Sequence, residues 1–168
     1  MSAPIEKRYW DSSVFLAWIK GEAGRVEVCE EIVAYARNNE CDIFTSAITL
    51  AEVLRPRHKG PIQVTETEEA KIVGFFQNPY IKIIDFSAPL GAQSRLLQWR
   101  YGLHVRDAIH VASGIAAKVD VIESYDPDFF KVKPSEVPGC PPLREPKRKP
   151  LPLWNGAPTS APGPKPTP

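Results

Sequence analysis

The run Arg8-Tyr9-Trp10-Asp11-Ser12-Ser13-Val14-Phe15-Leu16 changes character at Asp11. Tyr9 and Trp10 suit a strand entering a core, and the serines with the apolar residues behind them suit the start of a helix. An acid at such a junction stands where a strand ends and a loop begins, the edge at which open α/β sheets bind ligands. Asp11 equally suits a helix N-cap, since its carboxylate accepts backbone N–H groups and complements the helix dipole. The rest of the chain decides between cap and site.

Downstream, Ser13 to Ile19 reads as a short apolar helix ending near Gly21, and residues 25–38 as a second one with Val26, Ile32, Val33 and Ala36 on its buried face. Cys41 to Thr45 is a brief strand. Ser46 caps a helix expected to run through Arg55 and stop before Pro56, ahead of the basic turn Arg57-His58-Lys59-Gly60-Pro61. Thr65 and Glu68 form a capping box for a helix reaching Gln77. Tyr80 to Phe86 is the clearest strand, Ser87 to Tyr101 a helix ended by Gly102, Val105 to Val119 a buried helix, and Val121 to Ser124 a last strand. Strands alternating with helices predict an α/β fold, a three-layer α/β/α sandwich around a mainly parallel sheet. No internal repeat is visible.

From Pro134 onward twelve of 35 residues are proline, with few large apolar side chains. The expected organisation is one domain over residues 1–133 and a disordered or polyproline-like tail over 134–168. That tail carries five basic residues against Glu136 and Glu145, so the net charge of +1 for the whole chain leaves about −2 on residues 1–133. Bulk charge therefore excludes a basic nucleic-acid binder, and any polyanion must be met by local patches or metal ions. No apolar run approaches the roughly 18 residues needed to span a bilayer, and Met1 to Lys7 lacks the apolar core of a secretion signal. Cys29, Cys41 and Cys140 fit neither metal-ligand nor redox spacing. A cytoplasmic protein with reduced thiols and no membrane contact is the expectation.

Three further acids stand among apolar neighbours: Glu52 in Ala47-Ile48-Thr49-Leu50-Ala51-Glu52-Val53-Leu54, Asp107 in Val105-Arg106-Asp107-Ala108-Ile109, and Asp126 after the last strand. Burying an unpartnered carboxylate is costly, so each needs a pair, hydrogen bonds or a cation. Taken singly, Glu52 could pair with Arg55, Asp107 could serve the helix dipole, and Asp126-Pro127 could be an ordinary turn. Taken together, Asp11 and Asp126 both follow parallel strands and so share one sheet edge. Four carboxylates converging there would repel one another unless a hard divalent ion, Mg²⁺ or Mn²⁺, joined them.

Tyr-Trp-Asp-Ser-Ser-Val at 9–14, Thr-Leu-Ala-Glu-Val-Leu-Arg at 49–55, Arg-Asp-Ala-Ile-His-Val-Ala at 106–112 and Ser-Tyr-Asp-Pro-Asp-Phe at 124–129 resemble the PIN domain, and more narrowly the VapC-type toxins of type II toxin–antitoxin systems. The resemblance covers roughly residues 7–133 and implies a metal-dependent endoribonuclease that leaves 5′-phosphate and 3′-hydroxyl ends. Its acids match Asp11, Glu52, Asp107 and Asp126, with Asp11 and Asp107 as direct metal ligands and Glu52 and Asp126 completing the shell or orienting water. Ser124 stands where the family often has Thr, Asp128 is an alternative fourth acid, and Trp10 replaces a smaller residue. Ser12 and His110 are accessory candidates, and His110 is either an acid–base group or a core histidine. Arg55 and Arg106 are the basic residues expected to meet RNA phosphates, and Tyr125 is a candidate for base stacking. An antitoxin that inserts a basic side chain among the acids, and pairing into a homodimer, are further implications.

Other carboxylate-edged α/β enzymes fit less well. A haloacid-dehalogenase-like phosphatase needs an acid where Ser13 stands, a receiver domain needs an acidic pair before its acceptor strand, and no glycine-rich phosphate loop is present. The rivals that remain are a non-catalytic PIN-like module binding RNA or protein, and a housekeeping RNA-processing nuclease.

Overall fold

The computed structural model of the chain describes residues 5–53 and 65–148. Arg55, the basic turn at 57–61, the Glu68 side chain of the expected capping box, and residues 149–168 lie outside the described residues.

The elements follow in the order β1 (Glu6–Trp10), α1 (Ser12–Lys20), α2 (Val26–Arg37), β2 (Cys41–Ser46), α3 (Ala47–Glu52), α4 (Glu66–Phe76), β3 (Ile81–Ile84), α5 (Ala88–Tyr101), α6 (Val105–Ala117), β4 (Val121–Glu123) and β5 (Leu143–Arg144). Every strand pairing is parallel, in the spatial order β3-β2-β1-β4-β5. From β1 the chain steps outward to β2 and β3, then crosses back to lay β4 on the other side of β1. The register sets Tyr9 beside Phe44 and Trp10 beside Glu123.

Strand side chains alternate between faces, and β1 shows what that does. Trp10 joins Phe15, Trp18, Ile32, Val33 and Ile43 under α1 and α2, whereas Tyr9 joins Leu97, Ala108, Val111, Ala112 and Ile122 under α5 and α6. Trp10 and Phe15 meet edge to face at 5.4 Å between centroids. Each such ring removed from water contributes on the order of 2–3 kcal/mol. The second layer is close packed where α6 crosses β4: a Cβ on Gly114 would lie 2.6 Å from Ile122 Cδ1. The expected three-layer α/β/α sandwich is the observed one.

The expected tail boundary requires correction over its described part. Residues 134–148 are not a free extension: Val137 is buried with the α5–α6 core, and Leu143 with Arg144 forms the fifth strand, Arg144 standing beside Glu123. The reason is a buried charge. Glu123 is fully enclosed, and its carboxylate accepts from Arg8 (3.2 Å), Trp10 Nε1 (3.0 Å) and Arg144 (3.2 Å), while Arg8 also donates to the Lys147 carbonyl at 2.9 Å. Prolines do not oppose this, because an edge strand leaves one side without ladder partners.

Among the described residues no helix is long and apolar enough to cross a membrane, and the three cysteines are free.

Candidate active site

The C-terminal ends of β1 and β4 lie side by side where the strand order reverses, the place at which open α/β sheets form a crevice. Asp11 leaves β1 there. Its Oδ1 accepts from the Ser13 amide (3.0 Å), the Ser13 hydroxyl (2.6 Å) and the Val14 amide (3.2 Å), which makes it the N-cap of α1. Its Oδ2 accepts from the Ser124 hydroxyl at 2.5 Å. Ser13 Oγ in turn accepts from the Tyr125 amide at 2.8 Å, and Ser124 Oγ from the Asp126 amide at 2.9 Å. Cap and site are thus one role, since the capping carboxylate also joins the two strand ends. Asp11 is only 4% exposed, and burial pushes its carboxyl up despite these hydrogen bonds and the nearby His110.

A cleft of about 330 Å³ opens beside it, lined by Asp11, Ser12, Glu52, Arg106, Asp107, His110, Asp126 and Asp128 among others. Seven of the candidate side chains besides Asp11 therefore face one space, and Ser124 lies bonded to Asp11 at its wall. The described partners of Glu52 lie on other elements. Its Oε1 pairs with Arg106 at 3.2 Å, and its Oε2 meets Ser12 Oγ at 2.8 Å and His110 Nε2 at 3.0 Å. Burial raises its carboxyl, but the hydrogen bonds from His110, Ser12 and Arg106 outweigh that and hold it at about 2.

His110 is buried, with Nδ1 2.8 Å from the Tyr9 hydroxyl. Both ring nitrogens are engaged within the protein, which favours the core-histidine reading over the acid–base one. Asp107, one helical turn before it, is different: no described residue hydrogen-bonds or pairs with its carboxylate. Burial raises it, and the charges of Asp126 and Asp11 raise it further. That repulsion favours Asp126 over Asp128 as the fourth acid, because Asp128 is paired with Lys131 at 2.7 Å. Asp126 accepts from the Asp128 amide at 2.9 Å, and so caps the 3₁₀ turn Pro127–Lys131.

Among the described residues no three His, Cys, Asp or Glu side chains form a ready-made metal-ligand group. The donor chemistry nevertheless suits a hard divalent ion, since the cleft is lined with carboxylate oxygens and one half-buried carboxylate lacks a partner. Mg²⁺ is commonly held by one or two carboxylates with waters in its other positions. Asp107 is the residue freest to do this, with Asp11 and Asp126 near; Asp11 and Glu52 both already accept hydrogen bonds at each oxygen.

Tyr125 is not available for stacking: it is buried, with the Arg25 guanidinium 4.5 Å over its ring. Three residues escaped the sequence reading. Ser13 ties Asp11 to β4, Tyr9 holds His110, and Glu123 anchors β5. Glu123 carried a usable signal, since it is a lone acid in an apolar strand like those singled out. Tyr9 and Ser13 carried none, because their partners lie about a hundred residues away.

The PIN domain family model matches residues 8–134, well over half the chain. No protein of curated function matches the sequence. Among solved structures, VapC20 of Mycobacterium tuberculosis, described as a sarcin–ricin loop cleaving toxin, aligns at TM-score 0.56 and 16% identity over 73% of this chain and 92% of that one. A toxin–antitoxin complex from Klebsiella pneumoniae gives 0.57 and 20%, covering 84% and 99%. VapBC2 from Rickettsia felis, bound to a promoter DNA fragment, gives 0.55 and 19%, covering 82% and 98%. These likenesses are of fold. By the match over residues 8–134, this chain belongs to the PIN domain family.

Proposed function

We propose that the cleft is the active site of a divalent-metal-dependent endoribonuclease, and that the chain is the toxin of a type II toxin–antitoxin pair. The observation that carries the proposal is the partnerless Asp107 carboxylate, half-buried and repelled by Asp126 and Asp11. Family membership and the likeness to VapC and VapBC folds support the same reading.

Asp11 and Asp107 would hold the ion, Mg²⁺ or Mn²⁺, which would supply an acidified water and relief of charge on the phosphoryl oxygens. Asp126 stands at the mouth to orient water. Glu52 positions Arg106, whose guanidinium is partly exposed at the cleft and can meet an RNA phosphate. Hydrogen bonds from Ser124 and Ser13 favour the ionised form of Asp11 against its burial and aim it. The cleft otherwise repels a polyanion, so substrate entry depends on the cation. The same negative cleft suits an antitoxin that presents a basic side chain to the acids. A homodimer and a cytoplasmic location belong to the same proposal.

The test is to incubate the folded chain with a panel of RNAs, tRNAs included, with Mg²⁺ or Mn²⁺ and then with EDTA, beside Asp11→Asn and Asp107→Asn. Cleavage that needs the metal and disappears in both variants is expected. Metal-independent cleavage, or full activity in the variants, overturns the mechanism. A folded chain that cleaves none of the RNAs favours a binding module.

A further inference from the structure

The acids of the cleft come from separate elements: Asp11 from the end of β1, Glu52 from the end of α3, and Asp107 from the first turn of α6. A string of buried hydrogen bonds crosses all three. Tyr9 Oη lies 2.8 Å from His110 Nδ1, and His110 Nε2 lies 3.0 Å from Glu52 Oε2. Tyr9 is two residues before Asp11, and His110 is three after Asp107. Tyr9 is fully buried and His110 nearly so.

The direction of these bonds follows from the donor inventory. An ionised carboxylate only accepts, so His110 Nε2 carries the hydrogen that Glu52 receives. In the Nε2–H tautomer, Nδ1 has a lone pair to which the Tyr9 hydroxyl donates. Ser113, beside Tyr9, gives its own hydrogen to the Ile109 carbonyl at 2.7 Å.

We infer that Tyr9 is a positioning residue, whose hydroxyl donates to His110 Nδ1, anchors the ring in the Nε2–H form that Glu52 accepts, and so holds Glu52, α6 and the end of β1 in the arrangement the cleft chemistry needs. The inference rests on the nuclease reading for its effect on rate. The tautomer stands independently of that reading. Without the hydroxyl, Glu52 still holds the hydrogen on Nε2, but the buried Nδ1 is left without a donor and the ring loses one of its two anchors. Small displacements of positioning groups carry large rate effects.

The experiment is nitrogen-15 NMR of the full chain labelled at histidine, beside Tyr9→Phe, which keeps the ring and removes only the hydroxyl. His110→Gln assigns the His110 signals. In the unsubstituted chain, His110 shows the Nε2–H tautomer, and in Tyr9→Phe its Nδ1 signal shifts as that nitrogen loses its donor. RNA cleavage by Tyr9→Phe falls in kcat by roughly 5- to 30-fold, the rate equivalent of one buried hydrogen bond, with KM near its original value. The double variant is no slower than the slower single one, because the two residues act as a unit. An Nδ1–H tautomer, or His110 signals unchanged in Tyr9→Phe, overturns the relay whatever the activity. A shifted signal with unchanged kcat overturns its catalytic role. A chain that cleaves no RNA defeats the nuclease reading and with it the rate effect, while the signals still decide the tautomer.

Discussion

The Ser124 hydroxyl donates to Asp11 Oδ2 at 2.5 Å and joins two strand ends 113 residues apart in sequence. The same oxygen accepts the Asp126 amide, so one hydroxyl organises two acids of the cleft. Ser124→Ala leaves a buried carboxylate oxygen without its donor, a loss of about 1–3 kcal/mol. Calorimetry should record a lower Tm, and cleavage should fall with it, whereas Ser124→Thr should retain both. An unchanged Tm in Ser124→Ala would contradict the bond.

Asp107 has repulsion around it and no described partner, so neutralising it should relieve strain. Asp107→Asn is expected to melt at or above the temperature of the unsubstituted chain in EDTA. It should lose the stabilisation that millimolar Mg²⁺ or Mn²⁺ gives the unsubstituted chain, because only a ligand that binds the folded state raises Tm. RNA cleavage should drop by about 100-fold or more, the scale seen when a charge-stabilising group is removed. Thermal melts with and without metal check the first two outcomes, and a cleavage assay the third.

Glu123 sits under Arg8, Trp10 and Arg144 with no exposure. Removing one partner of a buried ion pair strands the other, at about 3–5 kcal/mol. Glu123→Gln should therefore cost far more stability than Arg144→Ala, whose guanidinium is about a third exposed. Urea unfolding of the two variants measures the difference, and equal losses would mean that Glu123 does not anchor β5.

Acid unfolding carries a sign that separates Glu52 from Asp11 and Asp107. The Glu52 carboxyl is held at about 2 in the folded chain, below its ordinary 4.5. Its contribution is complete above about 4.5 and is lost as pH falls through about 2. That contribution is on the order of 2–3 kcal/mol. Asp11 and Asp107 are raised, so theirs runs the other way: it is present below their ordinary value and lost as pH rises through the folded one. Urea midpoints between pH 2 and 5 should therefore fall less steeply with acid in Glu52→Gln than in the unsubstituted chain. Identical slopes would rule out the Glu52 network as their source.

Much of this molecule is written locally. The apolar spacing of Val26, Ile32, Val33 and Ala36 marks a buried helix face, Gly21 and Gly102 mark helix ends, and both glycines take the left-handed conformation that a closing turn requires. Asp11 as a cap was legible from Ser13 and Val14 alone. The four acids were legible as a group because an unpartnered carboxylate in an apolar run is costly, and that argument does not need coordinates.

The sequence by itself determined the alternation of strand and helix, the parallel sheet, and which acids share its edge, because periodicity and burial cost are properties of short stretches. Only the tertiary structure decided who partners whom. Glu52 is held by Ser12, Arg106 and His110, Asp107 was left without a described partner, and residues 143–144 became a strand because Glu123 lay buried beside them. Those outcomes depend on the crossover that sets β4 against β1, which brings together residues separated by most of the chain, and no local pattern records that distance.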